Sequence, residues 1–239
     1  MNSLQNKHVL IVGASSGMGE EIAKLCQTNK MKLSLCSRRN VGISGDNIFY
    51  KSVDIQDLVS VESFINQAIN TFGDFDYVIN CAGVMYYECI ENRNYSNWMK
   101  TINTNIIGFT NLLYATLPSI MENQGMLVNI TSDAARQAFP GLAIYSGSKA
   151  FMEYSLRAIR LELIDKGVRV INIQPGNVAT PLQNMSSDSE AIKKYSSTNS
   201  DNFLKPHEVA ETILYAMKQP KHVSINEILI EPQHEPISG

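Results

Sequence analysis

Short apolar runs alternate with longer amphipathic stretches along the chain. The runs His8 to Val12, Lys32 to Cys36, Ile48 to Val53, Tyr77 to Asn80, Met126 to Thr131, Val168 to Ile173 and Glu227 to Ile230 read as strands. Between them, a helical period predicts helices over Gly19 to Asn29, Val61 to Phe72, Trp98 to Met121 (with Pro118 near its end), Tyr145 to Asp165 and Glu208 to Lys218. Gly167 stands where a helix end favours a left-handed residue. Runs such as VLIV and VINI are apolar on both faces, which suits a sheet covered by helices on both sides. Strand-helix alternation with right-handed crossovers implies an α/β fold, a doubly wound parallel sheet in a three-layer sandwich. No linker or repeat divides residues 1–239, so they read as one domain. Leu182 to Asn202 is the exception in texture, being rich in Ser, Asn and charge. It reads as a surface excursion or an active-site lid.

Composition narrows the partners. Hydrophobic residues make up 44% of the 239, too many for a disordered chain. With 20 Lys plus Arg against 23 Asp plus Glu, the net charge of -3 disfavours nucleic acid or an anionic membrane as the main partner. No apolar run approaches the roughly 20 residues that span a bilayer. Cys26, Cys36, Cys81 and Cys89 form no CxxC pair and sit in apolar segments. They read as buried thiols in a reducing, cytoplasmic setting, with no metal site expected.

Candidate chemistry begins after the first strand, at Gly13-Ala-Ser15-Ser16-Gly17-Met18-Gly19. A strand, a glycine turn and a helix N-terminus together make an anion site, because backbone N–H groups and the helix dipole point at a phosphate. An acidic residue at the end of the second strand would bind an NAD ribose hydroxyl. That place reads Ser37-Arg38-Arg39, and guanidinium groups suit a 2′-phosphate instead. The expected cofactor is therefore NADP(H) in preference to NAD(H). Further on, Tyr145 and Lys149 lie one helical turn apart on one face, Ser132 follows the fifth strand, and Asn105 lies on an earlier helix.

In order and spacing these elements resemble the classical short-chain dehydrogenase/reductase family over nearly the whole chain. The matching segments are GASSGMG at 13–19, the strand end at Asp54, NCAG at 80–83, Asn105, Ser132, YSGSK at 145–149 and PGNVAT at 175–180. Two small departures are Val12, where Thr is common, and Cys81 in place of Asn. The resemblance implies a single-domain Rossmann-type fold and hydride transfer between nicotinamide and a ketone or secondary alcohol. It makes Tyr145 the general acid/base, with Lys149 lowering its pKa, Ser132 binding the substrate oxygen and Asn105 holding a relay water. It also assigns Asp54 and Ile55 to the adenine, and Asn80, Ala82 and Gly83 to the nucleoside path. Pro175, Gly176, Val178 and Thr180 would position the carboxamide. A substrate pocket is expected from Met85, Tyr86, Tyr87, Asp133, Phe139, Leu142 and Leu182.

The C-terminal stretch, KPHEVAE at 205–211 and its sequel, resembles the branch of NADP-dependent 3-hydroxy acid and serine dehydrogenases, which also contains carbonyl reductases. A small acid needs a cationic anchor; Arg136 is the nearest, with Lys193 and Lys194 further off, although Arg136 reads better as a structural ion pair. A catalytically silent NADP-binding sensor or scaffold is the alternative, disfavoured because Tyr145 and Lys149 are both kept. A methyltransferase would need no such pair. Family members usually form homodimers or homotetramers, and a homotetramer is expected.

Overall fold

The computed structural model describes residues 3–196 and 200–234. Seven strands form one parallel sheet: β1 (His8–Val12), β2 (Lys32–Ser37), β3 (Ile48–Ser52), β4 (Tyr77–Asn80), β5 (Met126–Ile130), β6 (Arg169–Pro175) and β7 (Glu227–Ile230). Their order is β3-β2-β1-β4-β5-β6-β7. The chain builds outward from β1 to β3, then crosses back to place β4 on the other side of β1. That reversal opens a crevice at the C-terminal ends of β1 and β4, where sheets of this kind bind ligands.

Alternation along each strand divides the core in two. Val9 and Ile11 of β1 face one side, with Ile22, Ala23 and Cys26 of α1 (Gly17–Thr28) and Val209, Ile213 and Met217 of α7 (Pro206–Met217). Leu10 and Val12 face the other, with Phe64 and Ile65 of α2 (Leu58–Phe72), Phe109 and Leu112 of α4 (Gly108–Glu122), and Met152 and Leu156 of α5 (Ala143–Glu162). Each fully buried Leu, Ile or Phe contributes roughly 1.5–3 kcal/mol, so both faces are needed to hold the layers together. The cysteines are free thiols, and no helix among the described residues is long and apolar enough to cross a membrane.

Several boundaries differ from those the pattern predicts. Helix α1 starts at Gly17, because the glycine turn completes itself two residues earlier. The single helix expected over Trp98 to Met121 is three pieces: α3 (Tyr95–Thr101), a π-helical turn (Ile102–Ile107) and α4, which contains Pro118. Hydrophobic period does not register such a widened turn, and π-turns concentrate at functional sites. Helix α5 ends at Glu162, and Gly167 closes the following 3₁₀ turn with φ +70°. The excursion after Leu182 is partly ordered, with a 3₁₀ turn (Pro181–Asn184) and α6 (Ser189–Tyr195); residues 197–199 of the expected lid lie outside the described residues.

His8, at the start of β1, is buried against Phe72 and Phe75. Its ring nitrogens bond the Gly73 carbonyl at 2.7 Å and Ser34 Oγ at 2.8 Å. Burial holds its pKa below the ordinary 6.5, although Gly73 and Asp76 pull it upward. An unfolded chain therefore binds a proton here that the folded chain refuses, and stability falls as pH drops below 6.5. Urea unfolding between neutral pH and pH ~5 tests this: His8→Asn should flatten the acid loss of stability, and an unchanged slope would clear His8 of it.

Candidate active site

From Val12 the chain turns at once through residues 13–16 into α1. A Cβ on Gly19 would lie 2.3 Å from the Gly13 carbonyl oxygen, and one on Gly13 would lie 2.9 Å from the backbone of Ala82 and Cys81. Only glycine permits this approach, which sets the first N–H groups of α1 above the sheet edge. A cavity of about 590 Å³ opens there. Gly13, Ser15, Ser16, Gly17, Met18 and Gly19 form one wall. Ser37, Arg38 and Arg39 close one end, and the Arg39 guanidinium donates to Ser16 Oγ at 2.8 Å.

The backbone beneath those arginines is pinned. Ser52 Oγ donates to the Arg38 carbonyl at 3.3 Å, and the Tyr50 hydroxyl donates to the Arg39 carbonyl at 3.1 Å. Asp54 and Ile55 line the far side. Asn111 of α4 secures them by donating to the Ile55 carbonyl at 2.9 Å. Ala82 and Gly83 form the floor. Asn80 lies below that floor rather than in it. Its amide donates to Asn129 Oδ1 at 2.8 Å, tying β4 to β5, and its oxygen accepts from the Ala82 N–H at 3.2 Å. These bonds give Asn80 a structural part, tying neighbouring strands beneath the nucleoside path.

Tyr145 stands where this cavity meets a second one of about 380 Å³ and lines both. Helix α5 presents Tyr145 and Lys149 from successive turns, 6% and 5% exposed. Ser132 stands beside Tyr145 and donates to Asp133 Oδ1 at 2.7 Å. Burial pushes the phenol above its ordinary value, the nearby Asp133 charge adds to this, and only Ser132 pulls downward. The lowered phenol expected beside Lys149 is therefore not what the structure shows. Lys149 is itself depressed to about 8 by burial. Its ammonium donates to the Ile130 carbonyl at 2.8 Å and sits 5.8 Å from the Tyr145 ring centre.

Asn105 is held by its own side-chain bonds. The π-helical turn aims its amide at the loop after β4. There the oxygen accepts from the Val84 N–H at 2.9 Å, while the nitrogen donates to the Val84 carbonyl and to Ser148 Oγ, each at 3.0 Å. It clasps that loop to α5. Asn105 Oδ1 and Lys149 Nζ each lie 3.5 Å from where a Cβ on Gly83 would stand.

Met85, Tyr87, Asp133, Phe139, Leu142 and Leu182 all line the second cavity, as expected. Pro175, Gly176 and Val178 line it too, rather than the first cavity, and Thr180 borders both. Tyr86 does not; it faces a separate crevice with Glu88 and Trp98. Arg136 is held by Glu227 and Gln174, each at 2.8 Å, and lines neither cavity, nor do Lys193 and Lys194. Sequence reading missed Gln137, Asn177 and Tyr195. Gly141 offered a signal for Tyr195, since its φ of +81° and bare Cα let that ring pack where a Cβ would lie 2.6 Å away. The segment after Pro181 gives Leu182, Gln183, Tyr195 and Ser196 to the cavity lining and is tied to the loop after β4. Ser186 Oγ accepts from the Tyr87 N–H at 2.6 Å, and Asp188 Oδ2 accepts from the Cys89 N–H at 3.1 Å.

Comparison with known proteins agrees with this arrangement. Residues 7–191 match the family model described as short chain dehydrogenase. A glycine betaine reductase of Emericella nidulans is 40% identical over 98% of this chain, which spans only 19% of that protein. An uncharacterized oxidoreductase of Staphylococcus saprophyticus is 32% identical, with 98% of this chain and 99% of that one covered. Among solved structures, the closed form of a serine dehydrogenase complexed with NADP+ has a TM-score of 0.88 at 27% identity, covering 97% of each chain. An alcohol dehydrogenase from Thermococcus sibiricus complexed with 5-hydroxy-NADP has a TM-score of 0.84 at 26% identity, covering 98% of this chain and 99% of that one. Sequence, fold and the match over most of its length place this chain in the short-chain dehydrogenase family of oxidoreductases.

Proposed function

We propose that the protein is an NADP(H)-dependent oxidoreductase that interconverts a carbonyl compound and its alcohol, with Tyr145 as general acid/base. One observation carries the reading: a buried phenol beside Ser132 stands at the junction of two cavities, with a buried ammonium next to it.

The first cavity fits a dinucleotide. Its glycine wall has no room for side chains at Gly13 and Gly19, and leaves backbone N–H groups to meet a pyrophosphate. Arg38 and Arg39, with Ser15 and Ser16, would take a 2′-phosphate; Asp54 and Ile55 would flank the adenine; and Lys149 would reach the nicotinamide ribose. When bound, the cofactor supplies or accepts the hydride. The chain's own residues manage the proton. Burial keeps Tyr145 protonated at neutral pH, so it can give its hydroxyl hydrogen to the carbonyl oxygen. The phenolate left behind is offset by the Lys149 ammonium. Ser132 would turn its hydroxyl from Asp133 to the substrate oxygen and stabilise charge there. Asn105 is a positioning residue, and the segment 182–196 serves as the lid.

The NADP complexes of the serine and alcohol dehydrogenases support the cofactor assignment. A small 3-hydroxy acid is less well served, because no cationic side chain lines the second cavity among the described residues. For assembly we propose a homotetramer, or at least a homodimer, packed through the exposed Tyr114 of α4 and Phe151, Tyr154 and Leu161 of α5.

Three measurements test these assignments. Tyr145→Phe should cut carbonyl reduction by at least ~10²-fold while NADPH fluorescence titration still reports binding. Retention of most of the rate would remove Tyr145 from the acid/base role. Arg38→Ala should raise the KM for NADPH roughly 10- to 100-fold, the size of a lost charge-assisted hydrogen bond, and barely move that for NADH. Equal effects on both cofactors would show that Arg38 does not read the 2′-phosphate. Sedimentation velocity at micromolar concentration should show a tetramer or dimer; a monomer would rule out the packing of α4 and α5.

A further inference from the structure

The substrate side of Tyr145 has a particular chemistry. Besides Tyr145, three aromatic rings line the cavity of about 380 Å³: Tyr87 after β4, Phe139 before α5, and Tyr195 at the end of α6. Met18 and Met85 add polarisable surface. Asp133 is the one charged side chain among the described lining residues.

The cations that could invert this balance are placed elsewhere. Arg136 is paired with Glu227 at 2.8 Å. Lys149 belongs to the adjoining cavity and donates to the Ile130 carbonyl. Lys194 lies 5.1 Å from the Tyr195 ring centre but does not line the cavity.

We propose that this cavity takes a short carbonyl compound bearing a quaternary ammonium group, its cationic head among the rings of Tyr87, Phe139 and Tyr195 and facing the Asp133 carboxylate. Aromatic faces attract such cations, and a quaternary nitrogen has no N–H to leave unsatisfied among apolar walls. An anionic substrate would bring its charge against the Asp133 carboxylate and would have to shed its water. Substrate length follows from the placement: Asp133 accepts from Ser132 at 2.7 Å, and both act on Tyr145 across the same cavity wall, so carboxylate and hydroxyls are neighbours. The nitrogen therefore stands only a few bonds from the carbonyl carbon. In the forward step NADPH gives its hydride to that carbon and becomes NADP+. Tyr145 gives a proton to the oxygen, the carbonyl becomes an alcohol, and the ammonium group is unchanged. A cation beside Asp133 also offsets the charge that holds the Tyr145 proton in place.

The turnover half of this inference rests on the oxidoreductase reading above; the binding half does not. Calorimetry on the protein saturated with NADP+, which cannot reduce a ketone, isolates binding. The probes are acetonyltrimethylammonium, its neutral isostere methyl neopentyl ketone, and the anion acetoacetate. The cation should bind about tenfold or more tighter than the isostere, in keeping with ring and carboxylate contacts in a desolvated site, and acetoacetate weakest. Phe139→Leu and Asp133→Asn should each bring the cation-to-isostere ratio toward one. Phe139→Leu matters most, because it leaves the Ser132 bond to Asp133 untouched. Equal or tighter binding of the isostere, tightest binding of acetoacetate, or an unchanged ratio in both variants would overturn the proposal. Replacing NADP+ by NADPH then reads turnover. Selective binding of the cation without reduction would support the cation site and overturn the hydride-transfer reading.

Discussion

A lysine ammonium taken out of water is the constraint around which the active-site edge is arranged. Removing an ammonium from water costs several kcal/mol unless the surroundings compensate, and here burial depresses Lys149 to about 8. The Ile130 carbonyl, at the last residue of β5, supplies the compensating bond. That bond works only if α5 crosses the sheet at one height, which the clasp of Asn105 on Val84 and Ser148 secures from the opposite side. The π-helical turn is the backbone's concession to that clasp: a straight helix from Tyr95 to Glu122 would carry Asn105 at another angle. Tyr145 shares this dry environment one turn earlier, and so its proton is held firmly.

The glycine turn does the same service for the other cavity. Contact between Gly19 and the Gly13 carbonyl lets α1 rise straight from the sheet edge. Gly108 repeats the device on α4, where a Cβ would lie 2.5 Å from Ile55. Missing side chains at these places bring helices close enough to shape a groove whose walls are largely backbone, which suits a long ligand better than a small globular one.

Charge is divided between the two cavities. Arg38 and Arg39 stand at one end of the first, and Asp133 stands in the second, with Tyr145 and Lys149 between them. A molecule with an anionic end and one with a cationic end would each be drawn to its own side of the reacting hydroxyl.

The strands, their two-faced burial, the doubly wound order, the glycine turn and the Tyr145–Lys149 pair were legible in the sequence. Each is a local pattern: alternation in HVLIV, glycines at fixed offsets, two residues one helical turn apart. That Arg38 and Ile55 would line the first cavity was legible for the same reason, both being tied to strand ends. What depended on neighbours distant in the chain was not. The Asn80 bond between β4 and β5, the retreat of Arg136 to Glu227 and the packing of Tyr195 on Gly141 are contacts between remote segments, and the π-helical turn that carries Asn105 comes with its bonds to Val84 and Ser148. The direction of the Tyr145 shift belongs with them, because desolvation is a property of everything packed around a group. Local periodicity and spacing were enough for the layers and for the Tyr145–Lys149 pair; the charge and shape of the second cavity arise only where the loops after β4, β5 and β6 converge in space.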